Sequence, residues 1–362
     1  MMQLTIEPAE LKATLKRLAT VIKAHTLLPI LDFVKIDVSA DNAAVATASS
    51  IETTIITGID LQSNQAGTVL LDYRKLQKIA DVVKEAIQVT VAEEAVTITS
   101  GIDKWQLGKP ADAATYPATN YDATEEQLAV PAGLFAALRI ASSFCAGPKE
   151  RHDLQNCAVY LQAERLIVAG TNSGIAYFES FACNTDAVKE HGRPLLLPAD
   201  MVANLPDVDA VLHINNRKLV AETLNTTVIL TQADVPPPDL RQLLSLLEVW
   251  NVFVDKDALL AALEKIFVFT APFYLMRMSI ADNEMLVTYC NADLNESAES
   301  AIVCESQLEP VTVAFNATQL KHVLSRLPGD TVEFAIKGPD KGVFLRPREN
   351  NNITALIMPI QL

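Results

Sequence analysis

Histidine and cysteine, the residues that most often carry out chemistry, are few and scattered in this chain. None of the five histidines has a metal-ligand spacing to another histidine or to a cysteine. The five cysteines, which contain no C-x-x-C pair, are Cys145, Cys157, Cys183, Cys290 and Cys304. Neither a phosphate-binding glycine loop nor a G-x-S-x-G elbow occurs. We therefore expect no catalytic residues, no metal site and no cofactor, and cysteines that stay reduced.

Composition sets the class of protein. The chain has 362 residues, of which 50% are apolar and 20% charged, so two or three well-packed domains are expected rather than disorder. The formal net charge of −15 argues against nucleic acid and anionic membranes as partners, unless the basic residues are concentrated on one surface. No apolar run has the length of a membrane span and the first residues do not resemble a signal peptide, so we expect a cytoplasmic protein without a membrane partner.

Internal repeats give the organisation of the chain. Two patterns of strand, polar turn and amphipathic helix recur three times each, at 4–22, 128–145 and 252–269 and at 67–83, 192–208 and 309–327. Strand-like stretches with period-two alternation follow the helices. We predict an α+β fold of three similar domains, 1–122, 123–245 and 246–362, each made of two β-α-β-β units. Neighbouring sheets of such units could continue edge to edge, which would protect strand edges. Unrelated α+β domains that share common patterns are the alternative.

Basic residues recur on the equivalent helices of these repeats, although acids such as Glu10, Asp81 and Glu264 lie among them. The pattern is typical of a solvated helix face, but its repetition also suits non-specific contact with phosphates. The candidates on the helices are Lys12, Lys16, Arg17, Arg74, Lys75, Lys78, Arg139, Lys256, Lys265, Lys321 and Arg326.

Over its whole length the chain resembles the bacterial DNA polymerase sliding clamps, the beta subunits of replicative polymerases. The segments that carry the resemblance are LLPIL (27–31), PPDLRQLL (237–244), FNATQLKHVLSRL (315–327) and the terminal IMPIQL. The resemblance implies a head-to-tail homodimer that closes into a ring, with helices lining the hole. It also implies a processivity factor that encircles double-stranded DNA non-specifically, and that binds DNA polymerase and the clamp loader through short linear motifs.

By the same resemblance, a hydrophobic cleft between the second and third domains receives those motifs. The matching residues are Leu154, Thr171, Pro238, Leu243, Phe273, Asn316, Met358, Pro359, Ile360 and Leu362. Polar positions of the family's cleft differ here, since Gln319 stands where a tyrosine is common and Gln361 where an arginine is common. The alternative is that IMPIQL merely closes a sheet.

The resemblance implies two further sets of residues. Loop residues that would contact DNA are Lys23, His25, Lys149, Arg151 and His152, each of which could equally be a solvated loop residue. Residues that would join two chains are Trp105 and Leu107 on one chain with Phe267 and Val268 on the other, although each could equally be an ordinary core residue. Two alternatives for the whole protein stay open: a specialised clamp paralogue, suggested by the few bases of the middle domain and the altered cleft, and an enzyme built on repeated α+β domains.

Overall fold

The computed structural model of the protein describes most of the chain. The described residues are 1–22, 28–50, 52–108, 111–117, 127–129, 133–162, 164–183, 194–202, 211–214, 218–236, 238, 240, 242–243, 249–269 and 274–361.

One order of elements occurs six times among these residues: a strand, a helix and then three antiparallel strands. The first two repeats are β1 (Met2–Ile6), α1 (Pro8–Leu18), β2 (Phe33–Val38), β3 (Ala44–Ser49), β4 (Thr53–Gly58) with the short β5 (Gln62–Ser63), and β6 (Gly67–Asp72), α2 (Tyr73–Val82), β7 (Ile87–Val91), β8 (Val96–Ser100), β9 (Asp103–Gln106). The next two are β10 (Gln127–Ala129), α3 (Leu134–Ser142), β11 (Asn156–Gln162), β12 (Arg165–Thr171), β13 (Ile175–Ala182), and β14 (Leu195–Pro198), α4 (Ala199–Val202), β15 (Val211–Ile214), β16 (Lys218–Glu222), β17 (Thr226–Thr231). The last two are β18 (Val252–Asp255), α5 (Lys256–Ile266), β19 (Leu275–Ala281), β20 (Glu284–Asn291), β21 (Glu296–Ser306), and β22 (Val311–Asn316), α6 (Ala317–Leu324), β23 (Thr331–Ala335), β24 (Val343–Pro347), β25 (Ile353–Ile357). The predicted α+β repeat is confirmed, and each repeat has one strand more than the two expected after the helix.

The chain divides into two compact units. The first contains Met1–Ala132 and Val208–Gln232. Its described strands form a five-stranded sheet in the order β5-β1-β7-β8-β9 and an eight-stranded sheet in the order β10-β15-β16-β17-β4-β3-β2-β6. The second unit contains Gly133–Asp207 and Ala233–Leu362, and its described strands form one twelve-stranded sheet in the order β14-β11-β12-β13-β25-β24-β23-β18-β21-β20-β19-β22.

Sheets of different repeats continue edge to edge, as the repeat pattern suggested. In the first unit β17 pairs with β4, from Thr226 opposite Thr57 to Leu230 opposite Thr53. In the second unit β13 pairs with β25, from Ile175 opposite Ile357 to Glu179 opposite Ile353. The compact units follow these continuous sheets, so residues of the middle predicted domain occur in both. The three-domain division of the sequence stays a prediction.

Local sequence signals explain where the helices begin. Pro8 occupies the first turn of α1, where its missing N–H is not needed. Asp72, Asp255 and Asn316 are each the last residue of a strand. Their side chains accept hydrogen bonds from backbone N–H groups in the first turn of the following helix. In α1, Leu11, Leu15 and Leu18 recur at helical spacing and are buried, so this face packs into the core. No helix in the described part of the chain is long and apolar enough to cross a membrane.

Candidate partner cleft and nucleic-acid interface

The turn between β12 and β13 is held by its own polar side chains. The Thr171 hydroxyl donates to the carbonyl oxygen of Ile175 at 2.7 Å and accepts from the Ser173 N–H at 3.1 Å. Asn172 Oδ1 accepts from the N–H groups of Gly174 and Ile175, both at 3.0 Å. Thr171 is 7% exposed, and these two hydrogen bonds engage its hydroxyl within the turn. Its role in the predicted cleft is therefore to shape the backbone.

The terminal segment is tied to this turn. The Met358 N–H donates to the carbonyl oxygen of Gly174 at 2.8 Å, one residue beyond the end of β25. Two residues later the Ile360 N–H donates to the Ala314 carbonyl oxygen at 2.8 Å. Pro359, which has no N–H, lies between them. The backbone of the tail is thus fixed at both ends of the proline, while the Met358 side chain remains 41% exposed.

Helix α6 supplies a polar wall beside the same turn. A Cβ built on Gly174 would lie 2.7 Å from Gln319 Nε2, so the Gln319 side chain lies directly against this glycine. Asn316 Oδ1 accepts from the N–H groups of Thr318 and Gln319 at 2.9 and 3.4 Å, which caps α6. The predicted cleft residue Asn316 is therefore a helix cap, and its side-chain oxygen Oδ1 is already hydrogen-bonded to the helix.

An apolar cluster lies behind the cleft residues. It joins Leu240, Phe344 and Leu356, and Leu243 packs against it as a partly buried residue. The Tyr160 hydroxyl donates to the Pro238 carbonyl oxygen at 3.1 Å, which fixes the segment that carries both leucines. An apolar surface with a few fixed polar groups is the chemistry that a short peptide with hydrophobic anchors requires.

Gly342 also belongs to this region, although no motif in the sequence singles it out. A Cβ at this position would lie 2.9 Å from Leu356 Cδ1 and 3.2 Å from Met358 Sδ. Because Gly342 has no side chain, the Met358 thioether has room beside its Cα. The available signal was a lone glycine immediately before a strand pattern, which often marks a close approach.

The structure brings several of the predicted cleft residues together within the second unit. Thr171 belongs to the turn between β12 and β13, and Met358 is hydrogen-bonded to it. Asn316 caps the helix whose Gln319 lies against the same turn. Leu243 packs on the apolar cluster. Buried Leu154 lies two residues before β11, whose partner strand β12 ends at Thr171. The predicted residues Phe273 and Leu362 lie outside the described residues.

Helices α3 and α6 meet through a polar and aromatic contact. Arg326 Nε donates to the Ser143 hydroxyl at 2.7 Å, and His322 Nε2 lies 3.3 Å from the same oxygen. The His322 ring packs edge-on against Phe144 with centroids 5.0 Å apart. Burial, reinforced by the Arg326 charge, lowers the pKa of His322 to about 4, so this histidine is neutral at physiological pH.

Most of the predicted phosphate contacts of the second unit have partners within the protein. Lys256 Nζ donates to the Leu327 carbonyl oxygen at 3.0 Å, and Lys265 Nζ donates to Ser300 Oγ at 2.9 Å. Lys321 pairs with Glu264 at 2.5 Å and lies over the Phe267 ring. The further partnered bases are Arg139, Arg151 (with Asp153), His152 (with Gln155) and Arg326. These contacts give the bases a structural role and reduce their availability to phosphates.

The helices of the first unit differ in this respect. Lys12, Lys16 and Arg17 on α1 and Lys78 on α2 are exposed, and within the described residues their side chains have no hydrogen-bond or ion-pair partner. Exposed Lys149 of the second unit shares this property. The remaining bases of α2 are engaged: Lys75 pairs with Asp72 at 3.2 Å and Arg74 has an interaction within the chain. The predicted residues Lys23 and His25 lie outside the described residues.

Of the residues predicted to join two chains, Trp105 lies at an open strand edge, and Phe267 and Val268 follow α5, whose Lys265 contacts Ser300 of β21. Trp105 is half-buried on β9, the last strand of the five-stranded sheet, and the N–H of half-buried Leu107 donates to the Val96 carbonyl oxygen. In the second unit Phe267 is half-buried and Val268 is 78% exposed. Strand β21 pairs with β20 over Glu296–Val303, whereas on its other side β18 reaches only residues 304–306 among the described strands. The edge of β21 over 296–303 is therefore available for pairing.

The described residues contain no group of three or more histidine, cysteine, aspartate or glutamate side chains that could hold a metal ion. Cys145 Sγ lies 3.8 Å from Cys157 Sγ, and both are free thiols. The hydrogen bond to Cys145 and burial raise the pKa of the Cys157 thiol.

Family models match both ends of the chain. A model described as the N-terminal domain of the DNA polymerase III beta subunit matches residues 2–121. A model described as the C-terminal domain of the same subunit matches residues 249–361. Together they match well over half of the chain.

Individual relatives agree with these models. The beta sliding clamp of Vibrio cholerae is 22% identical over 377 aligned positions, and that of Synechococcus elongatus is 25% identical over 374, with 100% of both chains covered in each case. The crystal structure of the DNA polymerase sliding clamp from Bacillus subtilis is similar with a TM-score of 0.90 at 16% identity, covering 100% of this chain and 99% of that one. The arrangement of strands and helices is therefore that of the clamps.

Proposed function

The chain belongs to the DNA polymerase III beta-subunit family, the bacterial sliding clamps, and we propose that it works as a ring-shaped homodimer that encircles duplex DNA and tethers the replicative polymerase. The observation that carries this proposal is the sixfold β-α-β-β-β repeat, whose sheets continue from one repeat into another and which matches clamps over the full length. Family membership favours this function over an enzyme built on repeated domains. We propose no catalytic reaction and no cofactor.

The contact with DNA is proposed to be electrostatic and independent of sequence. The exposed bases Lys12, Lys16, Arg17 and Lys78 support it, because side chains without internal partners can exchange between phosphates as the ring slides. An overall charge of −15 keeps non-specific attraction weak elsewhere on the surface. Retention then depends on the closed ring more than on affinity.

The proposed homodimer forms by pairing of open strand edges. The β9 edge around Trp105 on one chain would lie against the β21 edge at 296–303 on the other. β9 carries exposed Asp103 and Lys104 and β21 carries exposed Glu299, so Lys104 is the group of β9 that can form an ion pair with Glu299 across the interface. Backbone pairing would satisfy edge groups that otherwise invite aggregation.

The cleft of the second unit is proposed to receive the short linear motifs of DNA polymerase and of the clamp loader. Its support is the combination of the fixed tail backbone at Met358 and Ile360, the apolar cluster behind Leu243 and the polar wall at Gln319. A cytoplasmic location follows from this role.

Topological retention gives the test of the whole proposal. The protein, loaded onto a nicked circular duplex by its cognate loader, should remain through gel filtration at moderate salt and should be lost when a single cut linearises the circle. A linear duplex whose two ends are blocked by tightly bound protein is the matched control and should retain the ring. Equal retention on open linear and circular DNA would refute the topological mechanism.

A further inference from the structure

We propose that the first unit contains a second binding pocket, built on the same frame as the cleft of the second unit, and that its ligand is a short peptide segment. The segment would carry one aliphatic side chain beside a hydrogen-bonding group. This inference rests on the proposed function only in taking the cleft of the second unit as a peptide site.

The pocket is a cavity of about 310 Å³ beside the junction of β4 with β17. Leu28, Leu31 and Ile229 line it as apolar residues, and Ser49, Thr53 and Thr231 line it as polar residues. Its volume is at the lower end of the range of about 300–1,000 Å³ that is usual for ligand sites. It therefore suits one or two side chains rather than a large cofactor.

The turn that borders this pocket repeats the turn of the cleft. Ser50 Oγ accepts from the N–H groups of Glu52 and Thr53 at 3.2 and 2.9 Å. Asn172 Oδ1 accepts in the same way from the N–H groups two and three residues further along its own turn, Gly174 and Ile175. Both turns connect the second and third strands after a helix.

The strand that ends beside each turn is tied to it by the same hydrogen bond. The Thr231 N–H donates to the Glu52 carbonyl oxygen at 2.7 Å, as the Met358 N–H donates to the Gly174 carbonyl oxygen at 2.8 Å. The register agrees, since Leu230 lies opposite Thr53 in the first unit and Ile357 lies opposite Ile175 in the second.

A buried leucine completes the correspondence. Leu31 lies two residues before β2 in a 3-10 helix, and Leu154 lies two residues before β11 in another. They are 3% and 5% exposed. Leu31, Ser49 and Thr231 thus occupy in the pocket the positions that Leu154, Thr171 and Met358 occupy in the cleft.

The side chains that differ between the two sites make the pocket more polar. Thr53 stands at the position of Ile175, and Thr231 at that of Met358. Lys218, opposite Thr231 in the β16–β17 register, stands at the position of Gly342. A ligand of the pocket must therefore offer hydrogen bonds beside its apolar group.

The Thr53 hydroxyl is the group that most directly indicates a ligand. Thr53 lines the cavity, is 5% exposed, and its buried Oγ1 has no hydrogen-bond partner among the described residues. A buried hydroxyl without a partner costs stability, so native proteins rarely keep one without a reason. The oxygen is shielded while the cavity is empty, so a rotation about the Cα–Cβ bond of Thr53 has to turn it toward a peptide group or polar side chain that enters beside Ile229.

The test uses the full-length protein with ¹³C-labelled isoleucine, leucine and threonine methyl groups and NMR titration. The probe is the blocked tripeptide N-acetyl-Ser-Leu-Ser-amide, and the matched control probe is N-acetyl-Ser-Ala-Ser-amide. We expect saturable shifts of the Leu31, Thr53 and Ile229 methyl groups with a millimolar Kd for the leucine peptide, and a much weaker response to the alanine peptide. Thr53→Val keeps the shape of the side chain and should weaken binding about three- to tenfold through loss of one hydrogen bond. Thr53→Ser, which retains the hydroxyl, should bind within about twofold of the parent protein by the same reasoning.

Several results would overturn the proposal. These are the absence of saturable shifts at the three methyl groups, equal responses to the two peptides, or unchanged affinity in the Thr53→Val variant. An equal response to isoamyl alcohol would assign the pocket to small amphiphiles instead. Shifts confined to Ile175 and Ile357 would leave the cleft of the second unit intact while refuting the second pocket. Failure of the proposed function itself would appear in the DNA-retention experiment, which does not involve this pocket.

Discussion

Arg326 on the C-terminal side of α6 donates a 2.7 Å hydrogen bond to Ser143 at the C-terminal end of α3, 183 residues earlier in the chain. The same arginine lies beside His322, whose ring packs on Phe144. Burial lowers the pKa of Arg326, although not enough to discharge a guanidinium near neutral pH. A base that sequence repetition marks as a phosphate contact therefore also joins two helices.

This contact predicts a pH dependence of stability. His322 titrates near 6.5 in an unfolded chain and at about 4 in the folded protein, so the unfolded chain binds the extra proton between these values. The stabilisation is complete above pH 6.5 and is lost as the pH falls toward 4. We expect a loss of about 1–2 kcal/mol across this window, allowing for partial solvent screening.

Urea unfolding at closely spaced pH values measures the effect. The His322→Gln variant, which cannot titrate, should show a flatter dependence, and the difference between the two proteins isolates this histidine. Parallel curves for the two proteins would show that His322 titrates normally in the fold.

The exposed bases of α1 should dominate the ionic part of DNA contact. Changing Lys12, Lys16 and Arg17 together to glutamine removes three charges that have no internal partner. The slope of log affinity against log salt should then decrease by about 2–3, because each phosphate contact contributes about 0.9.

The matched control changes Lys256, Lys265 and Lys321 to glutamine. These lysines have partners at Leu327, Ser300 and Glu264, so their loss should lower the melting temperature more than it alters the salt dependence of DNA binding. Equal slopes for both triple variants would contradict the assignment of DNA contact to the first unit's helices.

Removal of the tail should separate partner binding from assembly. Deletion of Met358 to Leu362 removes the backbone bonds to Gly174 and Ala314 together with the exposed Met358 side chain. Binding of a polymerase-derived peptide, measured by fluorescence anisotropy, should fall at least about 100-fold, as expected when several anchor contacts are lost together.

Sedimentation should show the deletion variant still at the mass of a dimer, because the tail follows β25, which three strands separate from β21 in the sheet. Gln361→Ala, at an exposed position, is the matched control and should bind the peptide almost normally. Unchanged peptide affinity after the deletion would refute the cleft assignment.

Charge reversal should test the proposed pairing of strand edges between chains. Lys104→Glu or Glu299→Lys alone should weaken the dimer, and the double variant should recover part of the loss. Each effect is expected to be about 1 kcal/mol, since both residues are exposed. Analytical ultracentrifugation over a dilution series gives the dissociation constants. Additive weakening in the double variant would place these residues apart in the dimer.

Much of the fold could be predicted from the sequence because its signals are local. Periodicity placed Leu11, Leu15 and Leu18 on one buried face, and Pro8 marked the start of α1. Repetition of these signals gave the number and type of units. The third strand of each unit was missed because short hairpin turns separate strands that share one alternating pattern.

The site was only partly predictable, because its residues act through partners that are distant in sequence. A pattern of bases on a helix does not reveal that Lys265 reaches Ser300 or that Arg326 reaches Ser143. The family resemblance placed Thr171 and Met358 near one cleft, whereas the roles of Gly342 and Gln319 depend on tertiary contacts with Met358 and Gly174.

The sequence by itself determined the type of element at each position and which face of it is apolar, since these depend on neighbours within a few residues. The tertiary structure alone decided which strand edges meet, as in the pairing of Thr57 with Thr226 across 169 residues. Alternation along a strand specifies its two faces but not the neighbour along its edge, because every backbone offers the same hydrogen-bonding groups. The edge pairings in turn produced the hydrogen bond from Met358 to Gly174, its counterpart from Thr231 to Glu52, and the cavity beside Thr53.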